Sequence, residues 1–245
     1  MTTDLAHMLE AVGDPAKRAW WENYVKDAAF YGTPMEDTRR LALSWWHSND
    51  HEDPAGEALA LGSHPVTEVR LAGIAIMERI LIPDNGLDSN DIGRLHSAMA
   101  TGAFDDWNTC DWFCVKVLHR LMDGASTTAH DEVLAWSQSE VLWIKRASLV
   151  AFVNILPKRE PSSGFDDRFV AAASTVANDQ RRFCQTSIGW TMRELSVRKP
   201  GIVSEFLGAH TPVLSREAIT NASKKLAPAI REGLLRAHAS QRSEN

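Results

Sequence analysis

The chain has 245 residues, 44% hydrophobic and 24% charged, which is ordinary for a globular protein with a sizeable core. The formal net charge is −6, and no run of 18 apolar residues occurs, which excludes a helical membrane span. Three cysteines, with no Cys-x-x-Cys and no His-Glu-x-x-His, argue against a disulfide framework and against the common zinc and redox motifs, so neither metal nor cofactor is expected.

Met1-Thr2-Thr3-Asp4 places no basic segment ahead of an apolar one, and a cytoplasmic protein is expected. Asp14-Pro15 and Thr33-Pro34 each set a capping residue before a proline suited to a first helical turn. Thr33-Pro34-Met35-Glu36 also fits a capping box, and Leu41, Leu43, Trp45 and Trp46 supply an apolar face up to His47. His47-Ser48-Asn49-Asp50-His51-Glu52-Asp53 is rich in ligand-type side chains but lies between helices, as a solvated turn would. From Thr67 to about Leu81, Val69, Ala72, Ile76 and Ile80 recur at helical spacing. Further helical stretches are expected near 89–100, 106–123, 128–138, 140–156, 165–177, 180–197, 201–208, 215–226 and 229–240. Breaks such as Pro83-Asp84-Asn85-Gly86 and Pro157 to Gly164 separate them.

Strand-like alternation is almost absent, so the architecture is expected to be all-α. Helix pairs repeating every 35–45 residues suggest a HEAT-like solenoid, in which alternate helices line a concave groove. Val69-Arg70-Leu71-Ala72 and Lys145-Arg146-Ala147-Ser148 give a faint internal echo, each with an Arg beside a small residue in an apolar helix. We read residues 1–245 as one helical-repeat domain, monomeric, with a polar tail from His238 to Asn245 that frays. Charge is divided along the chain. Residues 1–140 carry 10 basic and 23 acidic side chains, and residues 141–245 carry 16 basic and 9 acidic. An acidic front and a basic back are compatible with a polyanion bound on one surface.

The most informative stretch is Asp105-Asp106-Trp107-Asn108-Thr109-Cys110-Asp111-Trp112-Phe113-Cys114. As a helix, it aligns Trp107, Cys110, Asp111, Cys114, Leu118 and Leu121 on one stripe. Five of these suit a buried face, and Asp111 does not, since an unpaired buried carboxylate costs several kcal/mol. It is either a structural acid with a partner from a neighbouring helix or a carboxylate awaiting a cationic group that arrives with a substrate. Three other segments go beyond core-filling. Trp143-Ile144-Lys145-Arg146 sets Trp143 and Arg146 three apart on one face. Ile188-Gly189-Trp190-Thr191-Met192-Arg193-Glu194 has a glycine that lets a backbone or a ligand come close. Asn23-Tyr24-Val25-Lys26 leads to Phe30-Tyr31-Gly32 as an aromatic approach to the first tight break.

Taken together, these motifs resemble the AlkD-type DNA alkylation repair glycosylases, an all-helical HEAT-like family, over roughly Trp20 to Leu226. Trp107-Asn108-Thr109-Cys110-Asp111, Leu142-Trp143-Ile144-Lys145-Arg146-Ala147 and Ile188-Gly189-Trp190-Thr191-Met192-Arg193-Glu194-Leu195 carry the likeness. It continues through Lys199-Pro200 to Leu214-Ser215-Arg216-Glu217-Ala218. The resemblance implies that Asp111 is the catalytic carboxylate, with Trp107 and Trp190 as aromatic walls. It implies that Arg146 contacts the DNA backbone and that Tyr24 corresponds to the family's N-terminal tyrosine, with Lys145 and Arg193 as further DNA-binding residues. The chain departs from the pattern at Asn108, where the family often has Asp, and at Thr186, where a Lys is common.

The implied activity is excision of cationic N-alkylated purines, such as 3-methyladenine and 7-methylguanine, from duplex DNA. The implied site holds the duplex without a base-specific pocket. A cationic base leaves without a general acid, so a single carboxylate suffices to stabilise the oxocarbenium-like sugar and to position water. The alternative is a non-catalytic helical-repeat module that binds damaged DNA or protein partners, which the acidic front half favours.

Overall fold

The computed structural model describes residues 2–243, with side chains for residues 2–240. The expected all-α architecture is observed. Among the described residues, β pairing is confined to one isolated parallel bridge between Ala29 and Val66. The chain forms two compact units, Met1–Leu121 and Met122–Asn245.

In the first unit, α1 (Thr2–Glu10) and α2 (Pro15–Tyr24) precede α3 (Met35–His47) and α4 (Pro54–Ala60). They are followed by α5 (Thr67–Ile76), α6 (Ile92–Ala100) and α7 (Trp107–Phe113). α5 and α7 each run on into a π-helical turn, Met77–Leu81 and Cys114–Leu118. α5 is the centre of this unit, with every residue from Thr67 to Ile76 buried except Arg70. It packs on α3 and α7, and α4 packs on α6 in a second row. Such all-round burial is what an apolar helix without a polar face requires.

The short α8 (His119–Met122) leads into the second unit. There the chain forms α9 (Thr127–Ala135), α10 (Leu142–Val150), α11 (Phe165–Ala177) and α12 (Arg182–Leu195). It closes with α13 (Pro200–His210), α14 (Arg216–Ala222) and α15 (Pro228–Ser243). Again two rows form: α10, α12 and α14 pack in sequence, and so do α9, α11, α13 and α15.

A helix-pair repeat is also written in the polar ties. In the first unit Arg70 bonds Asp105, Arg94 Nη2 donates to Asp53 at 2.7 Å and Arg120 Nη1 donates to the Glu78 carbonyl at 3.1 Å. In the second unit Arg182 Nη2 donates to Glu217 Oε1 at 2.9 Å and Arg198 Nε to the Leu156 carbonyl at 3.2 Å. The partners in these ties lie 35 to 42 residues apart, one repeat length. The echo read at Arg70 and Arg146 is part of this pattern.

Several expectations are corrected. The capping box at Thr33 does not form, because the Thr33 amide donates to Glu68 at 3.2 Å and its hydroxyl to the Leu9 carbonyl at 2.7 Å. Both groups a cap would use are thus taken by tertiary partners. The regular helix expected over 140–156 stops at Val150 and gives way to turns. Residues from His238 on are expected to form a polar tail. α15 continues to Ser243, and His238 is buried with Nε2 bonded to the Leu214 carbonyl at 3.0 Å. The end of that expected tail, Glu244 and Asn245, lies outside the described residues.

Candidate functional site

α7 starts where the sequence says a helix can start. Asp106 Oδ1 accepts from the Asn108 and Thr109 amides at 2.8 and 2.9 Å, satisfying first-turn N–H groups. Arg70, from α5, holds this cap from outside through Asp105 and through Asp106 Oδ2 at 3.2 Å. The first turn of α7 is therefore fixed from both sides.

The stripe on α7 divides into two parts. Cys110, Cys114 and Leu118 are fully buried and Leu121 nearly so, whereas Trp107 and Asp111 are half-buried at its edge. Asp111 is therefore partly exposed, one turn along α7 from Trp107. The Tyr24 ring stands edge-on to Trp107, with centroids 5.5 Å apart at 81°. Sequence and structure thus bring Tyr24, Trp107 and Asp111 to one region of the first unit. Sequence reasoning missed Trp20, which stacks on Tyr24 at 5.2 Å and extends the aromatic row into solvent. Trp20 and Tyr24 are 57% and 58% exposed, and their four-residue spacing on α2 was the available signal.

A second polar feature sits behind this region. Glu68 is buried, and its carboxylate accepts from the amides of Tyr31, Gly32 and Thr33 at 3.0, 2.8 and 3.2 Å. Burial raises its pKa against the opposing pull of those amides. Gly32 has φ +83, and a Cβ there would meet the Asp14 carbonyl oxygen at 2.1 Å, so only glycine lets the loop wrap this carboxylate.

In the second unit, Arg146 is buried and Nη1 donates to the Phe183 carbonyl at 2.7 Å and to Thr186 Oγ1 at 3.1 Å. Its guanidinium lies over the Phe183 ring, which also packs on Trp143 at 5.0 Å. Thr186 and Trp190 are one turn apart on α12, so Arg146 and the half-buried Trp190 address the same face of that helix. The common lysine position is thus occupied here by a threonine that accepts from the arginine. Gly189 serves a neighbouring backbone rather than a ligand: a Cβ there would lie 3.2 Å from Ala218 Cα and O and from Asn221 Cβ on α14.

Two expected DNA-binding residues are engaged elsewhere. Lys145, expected to contact DNA, is buried here with Nζ donating to Asp179 Oδ2 at 3.0 Å. One helical position separates it from Arg146, which turns its ammonium to a different partner. Arg181 and Lys145 beside Asp179 hold that carboxyl far below the usual carboxylate range. Arg193, half-buried and on the Trp190 side of α12, donates to Glu194 at 2.9 Å and to Asn221 at 3.0 Å. The His47 to Asp53 turn is structural. His51 Nδ1 bonds Glu57 at 2.6 Å, and the ring stacks on Trp46 at 3.5 Å.

The fold and its polar ties define a helical-repeat protein whose candidate groups sit on α7, α10 and α12. Among curated proteins none matches the sequence. The chain belongs to the DNA alkylation repair enzyme family, whose model matches residues 5–226. It is similar in fold to a solved structure described as a predicted DNA alkylation repair enzyme from Enterococcus faecalis. The two are 20% identical with a TM-score of 0.72, covering 88% of this chain and 97% of that one. Among the described residues no helix is long and apolar enough to cross a membrane.

Proposed function

We propose that this family member is a DNA glycosylase that hydrolyses the N-glycosidic bond of cationic N-alkylated purines in duplex DNA. The observation that carries the reading is Asp111: a half-buried carboxylate one turn from Trp107, whose ring meets Tyr24. In 3-methyladenine or 7-methylguanine nucleotides the base is already positively charged and departs as a neutral molecule. The charge that needs stabilising appears on the sugar, where Asp111 supplies the counter-charge and orients the attacking water. Trp107 and Trp190 offer electron-rich faces worth about 0.5–2 kcal/mol each to a cationic group. Arg146, which the resemblance assigns to the DNA backbone, is held by Phe183 and Thr186 and carries a planar fork of the kind that suits a phosphate. Arg193 adds positive charge beside Trp190.

The test is single-turnover release of 7-methylguanine from methylated duplex DNA by wild type and Asp111→Asn. Removal of one preorganised stabilising group costs about 10²–10³ in rate. We expect a loss of that size, with DNA affinity and thermal stability little changed. A variant as fast as wild type removes Asp111 from the chemistry, and a wild type that binds DNA without releasing base makes the protein a binding module.

A further inference from the structure

A cavity of about 160 Å³ lies within the first unit, on the face of α7 next to the one that bears Trp107 and Asp111. Trp21, Phe30, Met35 and Trp112 supply most of its wall, with Asn108 and Glu68 as its polar members. Trp21 stacks on Phe30 at 5.8 Å and 18°, which sets two parallel ring faces along one side. The volume is close to the roughly 150 Å³ of an engineered apolar cavity that takes up benzene. A six-membered ring therefore fits inside.

The polar groups narrow the choice. Glu68 already accepts three backbone N–H groups, and the Thr33 and Thr38 hydroxyls on the lining donate to the Leu9 and Pro34 carbonyls. Asn108 is different. It is 7% exposed, its backbone amide goes to Asp106, and its side-chain amide has no hydrogen-bond partner among the described residues. That amide lines the cavity, where a ligand that pairs with it takes the place of water. The donor and acceptor of one amide pair in a plane with an adjacent acceptor and donor on a heterocycle, as asparagine does with adenine.

Charge favours a neutral occupant. The buried Glu68 carboxylate opposes an anion, while Arg39 and Lys116 over the Trp112 ring, at 5.6 and 5.5 Å, oppose a second cation there. We propose that this cavity binds a free, neutral nucleobase, held between aromatic faces and paired edge-to-edge with the Asn108 amide. The site is separate from the DNA-processing residues and does not depend on the glycosylase reading.

The experiment is a titration of the intact protein without DNA, followed by tryptophan fluorescence and calorimetry, with adenine, cytosine, benzene and benzoate as probes. Adenine and cytosine should saturate one site, benzoate should not bind, and Asn108→Ala should weaken the bases at least 10-fold while benzene binding persists. Thermal stability of Asn108→Ala should stay close to that of wild type, because α7 is capped by the Asn108 backbone amide and not by its side chain. Absence of base binding at millimolar concentration overturns the proposal. So does equal affinity for benzene and the bases, or an Asn108→Ala variant that binds bases as wild type does.

Discussion

Replacing Asp179 by Asn tests how the second unit holds the helices that carry Arg146 and Trp190. Asp179 accepts from Lys145 Nζ at 3.0 Å and from Arg181 Nε at 2.9 Å, and the Lys145 and Asp179 side chains are only 10% and 11% exposed. Removing one partner of a buried ion pair costs about 3–5 kcal/mol, and the Arg181 side of this cluster reaches solvent, so we expect about 2–3 kcal/mol at pH 7. The folded carboxyl titrates below its unfolded value because of Arg181 and Lys145. Its stabilisation is therefore complete above about pH 4 and is lost as pH falls toward the lowered folded value. In that range the difference between wild type and Asp179→Asn should shrink by roughly 1.4 kcal/mol per pH unit. Urea unfolding at pH 7, 4 and 2.5 measures this directly. A difference under about 0.5 kcal/mol at pH 7, or one that does not shrink in acid, refutes the reasoning.

Gly189→Val should destabilise by about 1–3 kcal/mol or more, since a Cβ already crowds Ala218 and Asn221 and two further methyls force α12 and α14 apart; thermal denaturation reads the loss. Burial pushes the Cys184 thiol up to about 12, so native protein at pH 8 should resist iodoacetamide at this position and label only after unfolding. Fast labelling of folded protein would contradict that. Trp20→Ala with Tyr24→Ala should change stability by less than about 1 kcal/mol, because both rings are more than half exposed. The same pair should lower DNA affinity roughly 10-fold if bases stack on them, which a binding titration at fixed salt measures.

The helices were legible where local chemistry decides them. Asp14 caps α2 through the Ala16 and Lys17 amides as its position before Pro15 implies. α11 spans Phe165–Ala177, the limits its pattern gives. Legibility failed where distant partners override local preference: Thr33 is claimed by Glu68 and Leu9 rather than by its own helix. The π turns after α5 and α7 depend on packing that spacing alone does not encode. At the site, Asp111 stood out because it interrupts an apolar stripe. Lys145 and Arg146 read alike as cations on one helix, and only the positions of Asp179 and Phe183 separate their roles. Asn108 gave no sign of facing a cavity, since its walls come from α2, α3, α5 and the loop at Phe30 as well as α7.

The proposed glycosylase activity requires that the bond between an alkylated base and its sugar is cut. Mass-spectrometric detection of free 7-methylguanine, with matching abasic sites in the DNA, tests it most directly. Wild type should release the base in amounts equal to the abasic sites formed. Methylated duplex left intact by folded, DNA-bound protein would contradict the claim.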